Sequence, residues 1–523
     1  VVFVIAKKLV VPTIQPVGPF PDIVPFLSGF AELVAAGYVP VQKGPYRKLP
    51  KGKYIDSPYS SLEPLYVPAQ LNIRSQLLWM GKMTRPTGRH ITNSEYNRAL
   101  AILRAEFRPF TEGGFTTLDE VIGVRQPDGS FINSRIDWDR SPGWPWVNKG
   151  CKTKKEAWDK FEPEIREMTE KLVRGEYVEC VFIASPKDEL LKPNKSARIF
   201  CPAPFHHHLA CAMLFQKKAD GLTESFGHHA SAVGMDIFGQ GLSDSFNRLN
   251  KHPNAYDADH GGWDISYRDG EPERDFMKDG LAEMYYAGVD MLFNLAQCPL
   301  VFVGGYLYQL AFQPSGWYLT TVTNTLKNYR QVCESFMDIY YEVHGEHCSI
   351  QFMRDNLELL CGGDDLAFST RCPWFTITAY ALWAEKRGIY VESDVLDPRN
   401  AMDLTFFSHR LYPLSVSFWK DKKIAVAGGR LDKIISSFSY LKTKDGKVDY
   451  CANAMRIASL LVNLWAYEEV FNYLEPYASH LIYQYFYDSG RVLTKEWQSI
   501  FNALPNEQNV NHVEKRSIRG LLF

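Results

Sequence analysis

The chain carries almost no net charge: 58 lysines and arginines against 60 aspartates and glutamates leave −2 over 523 residues. A generally basic nucleic-acid coat is thereby excluded, and any contact with nucleic acid must come from local patches. Ten cysteines are scattered without one Cys-x-x-Cys pair, which argues against structural zinc and fits a reduced intracellular protein. His206-His207-His208 offers no ready substitute, because consecutive residues rarely converge on one ion. These read as surface or groove histidines. No apolar run approaches the ~18 residues of a membrane span. Val1-Val2-Phe3-Val4-Ile5 is too short, is followed by lysines and reads as a buried strand. Internal repeats, low-complexity tracts and a clean linker are absent too, which favours subdomains packed into one body. The initiator Met is missing, as in a segment cut from a polyprotein or a trimmed expression form.

What is present is a globular composition, 46% hydrophobic and 14% aromatic, long enough for a large core and two or three subdomains. The first ~90 residues are Pro-rich and irregular, with a basic cluster at Lys43, Arg47, Lys48, Lys51 and Lys53. Helical periodicity begins after Asn93-Ser94, with Leu100, Leu103 and Phe107 on one face. A second helix sets Trp158, Phe161, Ile165, Met168 and Leu172 at three-four spacing and stops at Gly175, and a strand from Val178 to Ile183 follows. A long helix opened by Pro314-Ser315-Gly316 runs to about Val343 and ends at Gly345. From about residue 430 the chain reads as mostly helical, with an apolar face through Ile457, Leu460, Leu461 and Leu464.

The most informative feature is Gly362-Gly363-Asp364-Asp365, set between the apolar runs Leu359-Leu360-Cys361 and Leu366-Ala367-Phe368. It reads as the loop of a β-hairpin, with glycines permitting the positive φ such a turn needs. Gly-Asp-Asp arises by chance in roughly one chain in ten of this length, so its upstream partners decide its meaning. Ala255-Tyr256-Asp257-Ala258-Asp259 is a short strand ending in an acid. A strand-end carboxylate beside Asp364 would supply the bridging ligands of two-metal catalysis, and carboxylate oxygens suit Mg²⁺. On the long helix Thr320 and Asn324 lie four residues apart on one face, where a hydroxyl and an amide can meet a ribose. Asp264, five residues past Asp259, can accept a hydrogen bond from a 2′-OH. Lys187, Lys192, Lys195 and Arg198 gather four cations just after a strand, as a triphosphate cradle requires. Taken singly, each of these has an ordinary counterpart: a helix cap, a solvated loop, an unrelated acid.

Taken in order, they resemble the RNA-dependent RNA polymerases of picorna-like positive-strand RNA viruses, over about residues 141 to 435. Asp259 and Asp264 match that family's first acidic motif, Pro314-Ser315-Gly316 with Thr320 and Asn324 its second, and Gly363-Asp364-Asp365 its third. Lys187 through Arg198 resembles the basic loop over the incoming nucleotide. Ser141-Pro142-Gly143-Trp144-Pro145-Trp146 resembles the motif where the template enters, and Phe406-Phe407-Ser408-His409-Arg410 sits where the family has its primer-grip hairpin. The resemblance implies an α+β fold, a closed right hand with an antiparallel palm sheet and a helical thumb. Fingers and the N-terminal region fall at 1–203 with an insertion at 266–310, palm at 204–265 and 311–415, and thumb at 416–523. It implies Asp259, Asp364 and Asp365 as catalytic and metal-holding. Lys187, Lys195, Arg198, Asp264, Ser315, Gly316, Thr320 and Asn324 become nucleotide-binding. Ser141, Gly143, Trp144, His409 and Arg410 fall along template and primer. The cofactors would be two Mg²⁺ ions, with Mn²⁺ as substitute. The partners would be template and nascent RNA, nucleoside triphosphates, a viral protein primer and other replication proteins, in membrane-associated complexes of the host cytoplasm.

Three departures accompany the resemblance. Gly362 stands where the family usually has Tyr. The basic loop is shorter than in picornaviruses proper. Between Gly388 and Asp397 there is no lysine where the family places its candidate general acid, leaving Arg399 or Lys386 nearby; Arg is too basic to give up a proton readily. Two rival readings are a reverse transcriptase, against which Asp264 and Asn324 speak, and a non-catalytic RNA-binding or capsid protein.

Overall fold

The apolar runs on either side of Gly363-Asp364 form two strands, Leu357–Gly362 and Asp365–Thr370, paired antiparallel with Gly362 opposite Asp365. The computed structural model describes residues 40–43, 52–57, 65–82, 91–266, 270–413, 425–444, 446–464 and 466–475. In it this hairpin is half of a four-stranded antiparallel sheet. The strand Asn254–Gly261 pairs with 365–370 along its first half and with Tyr390–Glu392 along its second, which sets Asp259 opposite Glu392. Strand alternation divides the side chains between two cores. Leu359, Cys361, Leu366 and Phe368 enter the main core, while Leu360, Ala367 and Ala255 pack with Leu242, Phe246 and Leu249. Because both faces are covered, the strands read as continuous apolar runs.

The helix Thr320–His344 packs on Leu357–Gly362 and is buried almost all round from Val322 to Met337. Gly345 ends it at φ 74°, as the sequence predicts. Its start differs from expectation: Pro314-Ser315-Gly316 is a turn ahead of the helix, not its first residues. Gly316 sits at φ +131°, where a Cβ would lie 3.0 Å from Pro202 backbone atoms, so the close approach requires glycine. The helix Asn93–Phe107 is capped by Thr92 and Glu95 in a reciprocal capping box, and buries Leu100, Leu103 and Phe107 as the periodicity predicts. Lys154–Val173 buries Trp158, Ile165 and Leu172. It kinks at Phe161, φ −136°, just ahead of Pro163, whose ring disfavours helical backbone before it.

The histidine run corrects the sequence reading. His206 and His207 are fully buried on the helix Phe205–Glu224, which packs against Lys154–Val173. Their ring nitrogens lie 3.4 Å from Cys180 Sγ and 3.6 Å from Cys211 Sγ. Burial pushes the two imidazoles down to about 3 and about 4, so both are neutral core residues. His208 is half-buried against Tyr318.

A second sheet orders 40–43, 306–309, 300–303 and 181–183. The strand expected over 178–183 is confined to Val181–Ile183, paired parallel with Leu300–Phe302. Past residue 430, helices Leu431–Phe438 and Tyr450–Leu464 occur as expected, with Ile457, Leu461 and Leu464 buried. Between them, however, Tyr440–Lys444 is a strand bonded to Tyr54–Asp56. A pairing across nearly four hundred residues leaves no local signature. Val1–Ile5, Arg47, Lys48 and Lys51 lie outside the described residues. No described helix is long and apolar enough to cross a membrane.

Candidate active site

The turn between the two strands is a two-residue loop whose first position, Gly363, has φ 63°. Three polar side chains fix it from behind. Thr325 Oγ1 accepts from Gly363 N at 2.8 Å, and Asn328 Nδ2 donates to Gly363 O at 3.1 Å and Asp365 O at 3.0 Å. His260 Nδ1 lies 2.7 Å from Asp364 O and its Nε2 lies 2.8 Å from Tyr380 Oη. A carbonyl only accepts, so Nδ1 carries the proton and Nε2 takes one from Tyr380. Burial holds this imidazole down at about 4, hence neutral. The carbonyls of all three turn residues are thereby engaged.

Onto this rigid support the sheet brings the acids together. Asp259, near the end of its strand, and Asp364, at the tip of the loop, are exposed, and Asp365 is half-buried. Desolvation by the surrounding protein, even at these solvent-reached positions, raises all three carboxyls above the usual range. The negative charge of Asp364 raises Asp259 and Asp365 further, the latter to about 7. Such a cluster is stabilised by a cation, and among the described residues no ion pair to these acids is formed within the protein. Nor do three or more His, Cys, Asp or Glu side chains there converge as a closed cage. Mg²⁺ asks for no cage; it takes one or two carboxylates and keeps several waters. The donor set therefore fits that ion.

The remaining candidates divide. Asp264 sits on the short helix Trp263–Ser266, where Ser315 Oγ donates to its carboxylate at 2.5 Å and Gln313 N donates to its carbonyl at 2.8 Å. Burial pushes its carboxyl up to about 6 despite the Ser315 hydrogen bond. Asn324 is buried, and its Oδ1 has no hydrogen-bond partner among the described residues. Thr320 is placed differently from Asn324. Its hydroxyl lies 3.1 Å from Pro314 O and 3.0 Å from Trp317 O, and accepts from Gly316 N, so it shapes the turn that carries Ser315. Arg198 Nε donates to Glu189 at 2.6 Å, and its charge pulls the Asp259 and Asp364 carboxyls down against burial. Lys187 lies 4.0 Å from the same Glu189. Lys195 stands exposed in a turn closed by its own amide on Lys192 O.

The connector 201–204 ties these pieces to the loop 141–146. Cys201 N and Ala203 N donate to Ser315 O and Gly316 O, and Phe205 N donates to Pro142 O. Gly143, at φ 68°, comes so near Pro204 that a Cβ would lie 3.1 Å from its Cα. Ser141 Oγ accepts from Gly143 N, and Trp144 packs on Phe302. At the other side His409 Nδ1 donates to Phe407 O at 2.6 Å, its Nε2 lies 3.1 Å from Asn463 Oδ1, and Arg410 Nε donates to Thr405 Oγ1.

The model of the viral RNA-dependent RNA polymerase family matches residues 84–485, well over half the chain and the whole of this site. The chain belongs to that family. The polymerase also resembles a solved Sicinivirus 3Dpol RNA-dependent RNA polymerase, with a TM-score of 0.69 over 89% of this chain and 98% of that one. At 16% identity that match speaks for the fold alone. No curated protein matches the sequence.

Of the two cations near the place of the family's general acid, geometry removes one. Arg399, a candidate proton donor, is paired with Asp257 and mostly buried, and its backbone pairs with Ala255. It is a strut of the sheet. Thr325, Asn328, His260 and Tyr380 escape sequence reasoning, although Thr325 and Asn328 continue the helix that carries Asn324 and His260 adjoins Asp259. Their adjacency is the one signal the sequence held.

Proposed function

We propose that this polymerase synthesises RNA on an RNA template by two-metal nucleotidyl transfer, replicating a positive-strand viral genome. The observation that carries the reading is that strand pairing sets Asp259 beside the turn bearing Asp364 and Asp365, a turn immobilised by Thr325, Asn328 and His260. Asp259 and Asp364 would hold two Mg²⁺ ions, or Mn²⁺ in their place, with Asp365 alongside. When bound, these ions lower the pKa of the primer 3′-hydroxyl and neutralise the leaving pyrophosphate.

The protein's own groups do the rest. Arg198, oriented by Glu189, faces the triphosphate with Lys187, and Lys195 reaches it from the loop tip. Asp264, held by Ser315, accepts the ribose 2′-OH. The unpartnered Asn324 amide meets the same sugar, with Gly316 and Thr320 fixing the turn between them. Ser141, Gly143 and Trp144 lie along the incoming template, and His409 and Arg410 along the primer strand.

The chain is read as a closed right hand with fingers at 1–203 and 266–310, palm at 204–265 and 311–415, and thumb at 416–523. Support for closure comes from the pairing of Tyr54–Asp56 with Tyr440–Lys444. A protein primer and a place in membrane-associated host complexes belong to the same reading. Incorporation of labelled ribonucleotides and deoxynucleotides on a primed RNA homopolymer tests it. Mg²⁺-dependent ribonucleotide addition is expected; a preference for deoxynucleotides, or none for template, would overturn it.

A further inference from the structure

The sheet position before the catalytic turn lacks a side chain, yet the space beside it is filled. A Cβ built on Gly362 would lie 2.2 Å from Phe407 Cζ and 2.6 Å from Phe407 Cε1, with Phe406 Cζ at 3.2 Å. The Phe407 ring thus lies directly on the Gly362 backbone. Phe407 and Ser408 form the two-residue tip between the bridged pair Phe406 and His409, at φ 49° and 60°. A bulky residue in left-handed backbone is uncommon and strained, and the position favours glycine or asparagine. A ring kept at that cost has a use. The hairpin's root is also anchored to the acid-bearing strand: Thr405 N donates to Asp257, two residues before Asp259.

We propose that Phe407 is a positioning residue for the catalytic turn, supplying from the hairpin tip the aromatic ring that position 362 lacks. This rests on the reading of Asp365 as a member of the acid cluster. It also ties the primer-side hairpin mechanically to the acids: a shift of one displaces the other.

The backbone makes a decisive experiment available. Gly362 is outside the left-handed region, so it accepts a side chain, and position 407 is inside it, so it accepts glycine. F407G should relieve backbone strain and melt no lower than wild type by more than a few degrees. Its kcat for single-nucleotide addition should nevertheless fall on the order of tenfold, with nucleotide KM and RNA affinity within about twofold. G362A, which pushes the ring away, should reproduce that loss. F407Y should retain activity, and the double variant F407G/G362Y, which moves the ring to the other strand, should recover most of it. Direct Mn²⁺ titration without nucleotide should show weaker binding in F407G and recovery in the double variant. Unchanged kcat in F407G, or a double variant no better than F407G, overturns the proposal. An inactive wild type that binds no Mn²⁺ strikes instead at the acid-cluster reading.

Discussion

Asn328 spans the Gly363–Asp364 turn: one amide group donates to the carbonyls of both Gly363 and Asp365, at 3.1 and 3.0 Å. Asn328 is fully buried, so removing its amide leaves both carbonyls without that donor. Asn328→Ala should cost about 1–3 kcal/mol of stability, the penalty for buried acceptors left unpaired. It should also lower kcat by on the order of 10–100-fold, because a displacement near 1 Å at the acids disrupts alignment. Thermal melting and single-turnover kinetics check the two effects separately.

Asp364→Asn should abolish polymerisation while leaving RNA binding largely intact. The carboxylate serves metal, whereas phosphate contacts rest on cations elsewhere. Asp259→Asn should behave alike. Asp365→Asn should retain more activity, since Asp365 lies farther round the turn and is half-buried. Measurable elongation by purified Asp364→Asn in Mg²⁺ would contradict the metal assignment.

Removing the Arg198 cation should raise the nucleotide KM and slow the chemical step, because its charge is needed more as pyrophosphate departs. Glu189→Gln tests its orientation. With one charged acceptor lost from the pair that aims the guanidinium, nucleotide KM should rise less than in Arg198→Ala. If Arg198→Ala altered template affinity alone, the loop would belong to the RNA path.

The acids also set a pH dependence. Asp365 and Asp264 hold their protons to about 7 and about 6 in the fold, against the usual value near 4 unfolded. In that window the folded state binds more protons, so their contribution to stability falls as pH rises from about 4 to about 7. Buried His206, His207 and His260 act oppositely, being depressed to about 3 or 4. Their contribution is present above about 6.5 and lost as pH falls. The stabilisation by Mg²⁺ separates the two groups. It should raise Tm more at pH 8, where the acids are ionised, than at pH 5. An equal increment at both values would show that Mg²⁺ stabilises the protein elsewhere.

Much of this site was legible because it is built from short, ordered segments. The turn at 363–364, the strand ending near Asp259 and the stop at Gly345 each carry a local chemical reason. Position in three dimensions was not legible where partners are distant or where burial overrides character. His206 and His207 look like surface residues in a polar tripeptide, but the helix around them is apolar and takes them into the core. The pairing of Arg399 with Asp257 was not legible because the two lie 142 residues apart. The ring on Gly362 comes from a hairpin more than forty residues on, so glycine there read as a gap instead of half of a contact.

Sugar selection should rest on Asp264 and Asn324, and the structure sharpens why. Ser315 already donates to one oxygen of Asp264, so the carboxylate is oriented before any sugar arrives. Asn324 is buried, and its amide NH₂ can donate to the oxygen of the 2′-OH whose proton goes to Asp264. A deoxynucleotide has no such hydroxyl and leaves these groups unpaired. That mismatch costs several kcal/mol, on the order of 10⁴-fold in rate at the strong limit. Asn324→Ala removes the unpaired group, so ribonucleotide addition should fall more than deoxynucleotide addition and the ratio between them should narrow. Thr320→Val, whose lost hydroxyl bonds only its own turn, should instead slow both sugars alike through Ser315 and Gly316. Single-nucleotide incorporation of both sugars by wild type and the two variants separates the roles. A ratio unchanged in Asn324→Ala would place discrimination elsewhere and remove the main argument against a deoxynucleotide polymerase.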